Sequence, residues 1–292
     1  MRQGQASRTA SGVSVLRAAG HREPQAARND DDVIERLLPW RWRVALAFPP
    51  VRMLLNAGAA RVFPGLHAWQ NARTRIVDGW LRAELGGDCR PQQLVILGAG
   101  FDTRAMRFAS LLQGIDVVEV DRSETQALKK ARLMAVFGAL PAAVRFVPLD
   151  LATMSLESLA SVGIVPTRRT CFLWEGVSMY LDPDCATSLL SSMGRFAPGS
   201  SVLWDFLRRE VQTHPERVRG APGVLRYVAQ QGEPFRCAFD ELTLAQTLAD
   251  HGFSLEDLVG ADDVEAALGG PASIWQPGRC CSLYALARAR VG

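Results

Sequence analysis

"LVILGAGFDTRAMRF" occupies residues 94–108. An apolar run ends in Gly98-Ala99-Gly100, and Asp102, Thr103, Arg104 and Arg107 follow. The order reads as a short strand, a tight turn and a helix start. Glycines there permit φ > 0 and close backbone approach to a ligand. The first turn of the helix offers free N–H groups. A dinucleotide fingerprint, G-x-G-x-x-G, would place its third glycine where Thr103 stands. Taken alone, G-x-G fits a plain strand-to-helix corner as well as a nucleotide turn.

The following strands sharpen the choice. "VVEVD" ends in Asp121, and an acid at the tip of a second strand can accept both hydroxyls of a ribose. Glu119 alternates to the same side, and the later acid is preferred. "RFVPLDL" ends with Asp150, placed to take an exocyclic adenine amine while Leu151 packs near the ring. Each acid by itself is as well read as a cap or a solvated loop residue; the succession G-x-G, Asp, Asp at three strand tips fits an adenosine across the carboxyl ends of a sheet. No G-x-x-x-x-G-K-[ST] occurs, so no phosphate cradle is expected. The ligand expected is a nucleoside with an amino-acid tail, S-adenosylmethionine. Its carboxylate calls for an arginine, and "NARTR" offers Arg73 and Arg75 just before the first strand.

Further strands are expected at "TCFLWEGV", "SSVLWDFL" and "CSLYALARA", with helices at 67–85, 103–112, 123–138, 182–196 and 239–253. Strands alternating with helices predict an α/β fold with a mostly parallel, doubly wound sheet. Near-continuous apolar strands agree with a sheet covered on both faces. Asn29 or Asp30 is expected to cap a helix in "NDDDVIERLL", Ser123 the helix at 123–138, and Asp182 with Pro183 to open that at 182–196. Pro39, Pro49, Pro50 and Pro64 divide an aromatic-rich stretch into short pieces, read as a helical cap.

Three parts follow: a basic flexible arm at 1–28, a helical cap or lid at 29–88, and a catalytic domain at 89–292. The arm holds five arginines against Glu23 alone, a composition shared with transit peptides. The rest of the chain is nearly neutral, so no nucleic-acid partner is expected. No apolar run is long enough to span a bilayer, and no membrane partner is expected. The six cysteines lack C-x-x-C spacing and are read as reduced thiols of a cytoplasmic protein. The four histidines form no H-x-x-x-H pair, and no metal site is expected.

"ARTRIVDGWL", "VILGAGFDTRAMRF", "EVDRSETQALKKARL", "RFVPLDL" and "FLWEGVSMYLDPD" together resemble the successive motifs of the leucine carboxyl methyltransferase-like family, which includes bacterial O-methyltransferases of natural-product pathways. The resemblance covers roughly residues 67–255. It implies a class I methyltransferase-like Rossmann fold. It also implies that Arg73 binds the methionine carboxylate, Gly98 and Gly100 the methionine portion, Asp121 the ribose, and Asp150 and Leu151 the adenine. Glu175 would lie near the amino group, and Tyr180 would face the acceptor; these two are the catalytic candidates. Asp102 and Arg104 are read as a local pair that shapes the loop.

Methyl transfer from a sulfonium needs mainly alignment and exclusion of water. The matched motifs contain no clear general base, which favours a small carboxylate acceptor in secondary metabolism. An alternative is a cyclase, in which the amino group of S-adenosylmethionine attacks its own chain to give azetidine-2-carboxylate and methylthioadenosine. That reaction needs a sealed pocket with aromatic faces near the sulfonium, and Trp40, Trp42, Phe48 and Trp69 are its candidates.

Overall fold

The computed structural model describes residues 8–23, 28–153, 156–268 and 280–292. Five helices come first: α1 (Arg8–His21), α2 (Asp32–Leu37), α3 (Trp40–Ala47), α4 (Pro49–Val62) and α5 (Leu66–Gly86). Then follow β1 (Gln93–Leu97), α6 (Arg104–Arg107), β2 (Asp116–Asp121), α7 (Ser123–Phe137), β3 (Val144–Pro148), α8 (Leu156–Ser161), β4 (Thr170–Trp174), α9 (Pro183–Met193) and β5 (Ser201–Leu207). The chain ends with α10 (Glu210–Thr213), α11 (Ala221–Gln230), α12 (Leu244–Asp250), β6 (Phe253–Val259), α13 (Ala261–Leu268) and β7 (Tyr284–Val291).

The described strands form one seven-stranded sheet in the order β3-β2-β1-β4-β5-β7-β6. Neighbours from β3 through β5 pair in parallel, and β7 runs antiparallel between β5 and β6. This is the mostly parallel, doubly wound sheet expected. Winding reverses between β1 and β4, and ligands of such sheets bind at that switch point, outside the carboxyl ends of the strands.

Alternation along β1 splits the core into two layers. Leu94 and Ile96 pack with Trp80 and Leu81 of α5, whereas Val95 and Leu97 pack with Leu189 and Leu190 of α9. Trp174 and Trp204 are register partners on β4 and β5, and their rings stack with centroids 5.2 Å apart. Such a pair contributes about 0.5–1.5 kcal/mol beyond its burial.

Several local expectations are corrected. Asp31, rather than Asn29 or Asp30, caps α2 by accepting the Ile34 N–H at 3.1 Å. Ser123 is the first residue of α7, and its hydroxyl donates to Glu124 instead of capping. Asp182 does precede Pro183 at the start of α9, but its carboxylate takes Arg236 and no backbone N–H of the helix. The helix expected over 103–112 is one turn, α6, before the chain loosens into turns. The helices α11 and α13 and the strand β6 escaped the sequence reading, because "FSLEDLV" alternates only weakly.

The basic arm is the largest departure. Residues 1–7 and 24–27 lie outside the described residues, but 8–21 form α1. Ala18 and Ala19 of α1 pack with Ile34, Leu38, Leu46 and Phe101. Two of the arm's five arginines are paired there: the buried Arg17 with Asp31, and the partly covered Arg22 with Glu35. Those two charges meet acids of the next segment. In turn α5, grouped with the cap by the sequence reading, lies on the sheet, and Glu84 is bonded by Ser201 and Arg290.

Candidate active site

A cavity of about 680 Å³ opens at the carboxyl ends of β1, β2 and β4. Its walls include Arg73, Gly98, Gly100, Asp121, Asp150, Leu151, Glu175 and Tyr180, so the fold gathers every residue nominated for the site. Arg75 does not line it.

The glycine turn is explained by two contacts. Gly98 has φ +64°, and a Cβ there would sit 2.2 Å from Val177 Cγ2. Gly98 is therefore demanded by the loop after β4 as much as by a ligand. Gly100, at φ +45°, has only Ala10 of α1 and the Gly98 carbonyl near its Cβ position. The Gly100 N–H donates to Asp121 Oδ2 at 2.6 Å, and the Arg122 N–H donates to Oδ1 at 2.7 Å. A carboxylate has about four acceptor positions, so Asp121 keeps about two for hydroxyl donors in the cavity. Burial raises its pKa, partly offset by those two N–H groups. Glu119 is committed elsewhere, paired with the buried Lys129 between β2 and α7. Asp150 stands at the rim, half exposed, and Leu151 is buried beneath it.

Beneath the turn lies a charge network. Arg104 is fully buried and spreads its fork over three acids: Nε to Asp78, 2.7 Å, one terminal nitrogen to Asp102 and the other to Glu175, 2.7 Å. The Arg104 N–H also donates to Asp102 Oδ1, so this pair shapes the start of α6, as its local reading anticipated. Arg73 reaches Asp205, Gln70 and, at 3.2 Å, Glu175. Burial alone would raise the Asp102 and Glu175 carboxyls, but Arg104 leads the arginines that outweigh it and hold both below their ordinary values. Glu175 is thus a fixed carboxylate at the cavity wall.

Arg17, Arg73, Arg104 and Arg107 face Asp31, Asp78, Asp102, Glu175 and Asp205, which leaves one net negative formal charge. Among the described residues Arg73 Nε is buried and has no hydrogen-bond partner. Arg73 was expected to be free for a ligand carboxylate; both its terminal nitrogens are already engaged, and Nε is the atom left over.

The outer chamber was not foreseen. Tyr180 stands 5.3 Å from Phe235, and Phe235 6.1 Å from Tyr284. Glu233 joins them in the wall, only 6% exposed. Thr9 of α1 donates its hydroxyl to Glu233 and also hydrogen-bonds the Tyr180 phenol. Burial, and then the Glu233 charge, push the Tyr180 phenol well above its ordinary value. Tyr180 is therefore a neutral donor here and no base. Of the four aromatics named for a sealed lid, only Trp42 lines the cavity. Trp69 is stacked on Tyr284 in the core, and Trp40 and Phe48 point to solvent. Glu233 lies in "GEPFRCAFDELTLAQTLADHGF", within the stretch that resembles the family, but no role attached to it in the sequence; burial beside two tyrosines singles it out.

The family model for leucine carboxyl methyltransferase matches residues 10–194. The chain belongs to that family, and the match reaches back through α1. YktD of Bacillus subtilis, provisionally named an S-adenosyl-L-methionine-dependent methyltransferase, is 31% identical over 59% of this chain and 57% of its own length. The chain thus aligns with little more than half of that relative. A Mycolicibacterium smegmatis protein with the same provisional name is 28% identical over 91% of this chain and 86% of its own. A crystal structure of a DUF574 family protein from Streptomyces avermitilis shares the fold, with a TM-score of 0.59 at 16% identity, over 83% of this chain and 91% of that one.

Proposed function

We propose that the chain is an S-adenosylmethionine-dependent O-methyltransferase acting on a small hydroxyl-bearing acceptor. The observation that carries the reading is the polarity of the cavity wall: Asp121 with acceptor positions to spare, a fixed Glu175, and Arg73 with its Nε unpartnered among the described residues line one cleft. These groups complement ribose hydroxyls, an ammonium and a carboxylate. The network's single negative charge complements a cofactor of net charge +1. Asp150 and Leu151 are assigned to the adenine, and Gly98 and Gly100 to the methionine portion. When bound, S-adenosylmethionine supplies an electrophilic methyl on a sulfonium with a neutral leaving group.

The protein's own part is orientation and proton management. On acceptor binding Tyr180 exchanges its hydrogen bond to Thr9 for one donated to the acceptor oxygen, and holds that oxygen in line. Glu233 receives the acceptor's proton, directly or through Thr9. The aromatic walls of Phe235 and Tyr284 exclude water. A carboxylate acceptor was favoured only because no base was visible. Glu233 supplies that base, and it would repel a carboxylate.

A panel of phenols, aliphatic alcohols and carboxylic acids, incubated with S-adenosylmethionine, tests the reading by product. Adenosylhomocysteine is expected with hydroxyl acceptors and little with carboxylic acids. Azetidine-2-carboxylate formed together with methylthioadenosine from the cofactor alone would instead establish intramolecular attack by the amine and defeat the methyltransferase assignment.

A further inference from the structure

Seven of the twelve large apolar side chains exposed among the described residues lie between Trp40 and Val62. Trp40 is 75% exposed, Met53 70% and Leu54 73%. α4 runs for 14 residues, PPVRMLLNAGAARV, without one buried residue. A helix this apolar is ordinarily covered. Contiguous apolar surface of this kind marks contact with a protein or a membrane.

Charge decides between them. No acid occurs from Arg36 through Val77, while Arg41, Arg43, Arg52 and Arg61 lie on or beside the apolar face. Arg41, Arg43 and Arg61 are exposed, and none of the three pairs with a carboxylate among the described residues. On α4, Met53, Leu54, Ala57 and Arg61 share the outward side by helical spacing, and all four are exposed. Leu55 and Ala59 fall on the opposite, partly covered side, and Ala59 lines the cavity. Aromatic and aliphatic side chains mixed with arginines alone are the composition of helices that lie in a bilayer interface. No described helix is long and apolar enough to cross a membrane.

We propose that the α3–α4 face seats on the surface of an anionic lipid bilayer. Its apolar side chains enter the boundary between headgroups and acyl chains, and its arginines meet lipid phosphates. The sequence expectation of no membrane partner weighed spanning segments only; lying on a membrane is a different geometry, visible once the exposure of α4 is known. The proposal stands apart from the methyltransferase reading and needs no turnover to be tested.

Co-sedimentation of the full chain with phosphatidylglycerol–phosphatidylcholine vesicles, against phosphatidylcholine vesicles alone, is the test. Each basic residue near an anionic surface is worth about fivefold in partitioning, so a preference of at least about tenfold for the charged vesicles is expected. Added salt should reduce it. The pairs Met53→Ser with Leu54→Ser, and Arg41→Glu with Arg61→Glu, should each weaken binding at least about tenfold. Their melting temperatures should match the unaltered protein, because the exchanged side chains are exposed. Equal weak binding to both vesicle types, or variants that bind as the unaltered chain does, would overturn the proposal. A solution dimer dissociated by Leu54→Ser, with no vesicle binding, would assign the face to a second copy and overturn it equally.

Discussion

Replacing Arg104 by methionine is expected to remove about 3–5 kcal/mol of folding stability, the usual consequence of breaking a buried ion-pair network on one side. Arg104 is fully buried, and each of its three guanidinium nitrogens serves a different acid: Asp78, Asp102 and Glu175. Methionine fills much of the volume but leaves those carboxylates facing one another in a water-poor interior. Arg107 still holds Asp78, and Arg73 still holds Glu175, so the loss is large without being total. Arg104→Lys should recover only part of it, because an ammonium is a point charge and cannot span three acids in a planar fork. Urea denaturation of the three proteins measures the effect. A loss under about 1 kcal/mol for Arg104→Met would mean that packing holds this loop and that the network is incidental.

Glu233→Gln is expected to lower kcat by about 10²–10⁴-fold with a hydroxyl acceptor, the range for losing a positioned general base. The amide keeps the shape and can still accept the Thr9 hydroxyl, so the fold should be unaffected. Cofactor affinity should also hold, since Glu233 stands with Tyr180, Phe235 and Tyr284 and not among the groups assigned to the cofactor. Thr9→Val should give a smaller loss, because it removes the relay but leaves the carboxylate. Unchanged kcat in Glu233→Gln would show that the acceptor loses its proton to water.

What the sequence made legible follows from how locally each feature is encoded. The strands β1 to β5 announce themselves as short apolar runs, the first four running into glycine or an acid, and the tips of the first three carry Gly98, Gly100, Asp121 and Asp150 into one cleft. The order of sheet winding does the assembly, so residues 21 to 52 positions apart come to line one cleft. Features set by distant packing were hidden. Arg17 looked like surface charge until Asp31 and the Phe101 carbonyl were found around it. Arg73 looked like a free cation, whereas Asp205, more than a hundred residues later, already claims it. Thr9 and Glu233 meet across nearly the whole chain, and no local pattern marks either one. Trp40 and Trp69 have the same residue type and opposite fates, one in solvent and one in the core, because α5 packs on the sheet and α3 does not.

The cleft at the β1–β4 switch point is proposed to hold S-adenosylmethionine, with Asp121 on its ribose. Calorimetric titration of S-adenosylmethionine into the full chain, beside Asp121→Ala, tests it directly. Saturable binding at one site per chain is expected, with a loss of affinity of about 10-fold or more in the variant, the scale of one or two hydrogen bonds to a charged group. Absence of saturable binding, or equal affinity in Asp121→Ala, would contradict it.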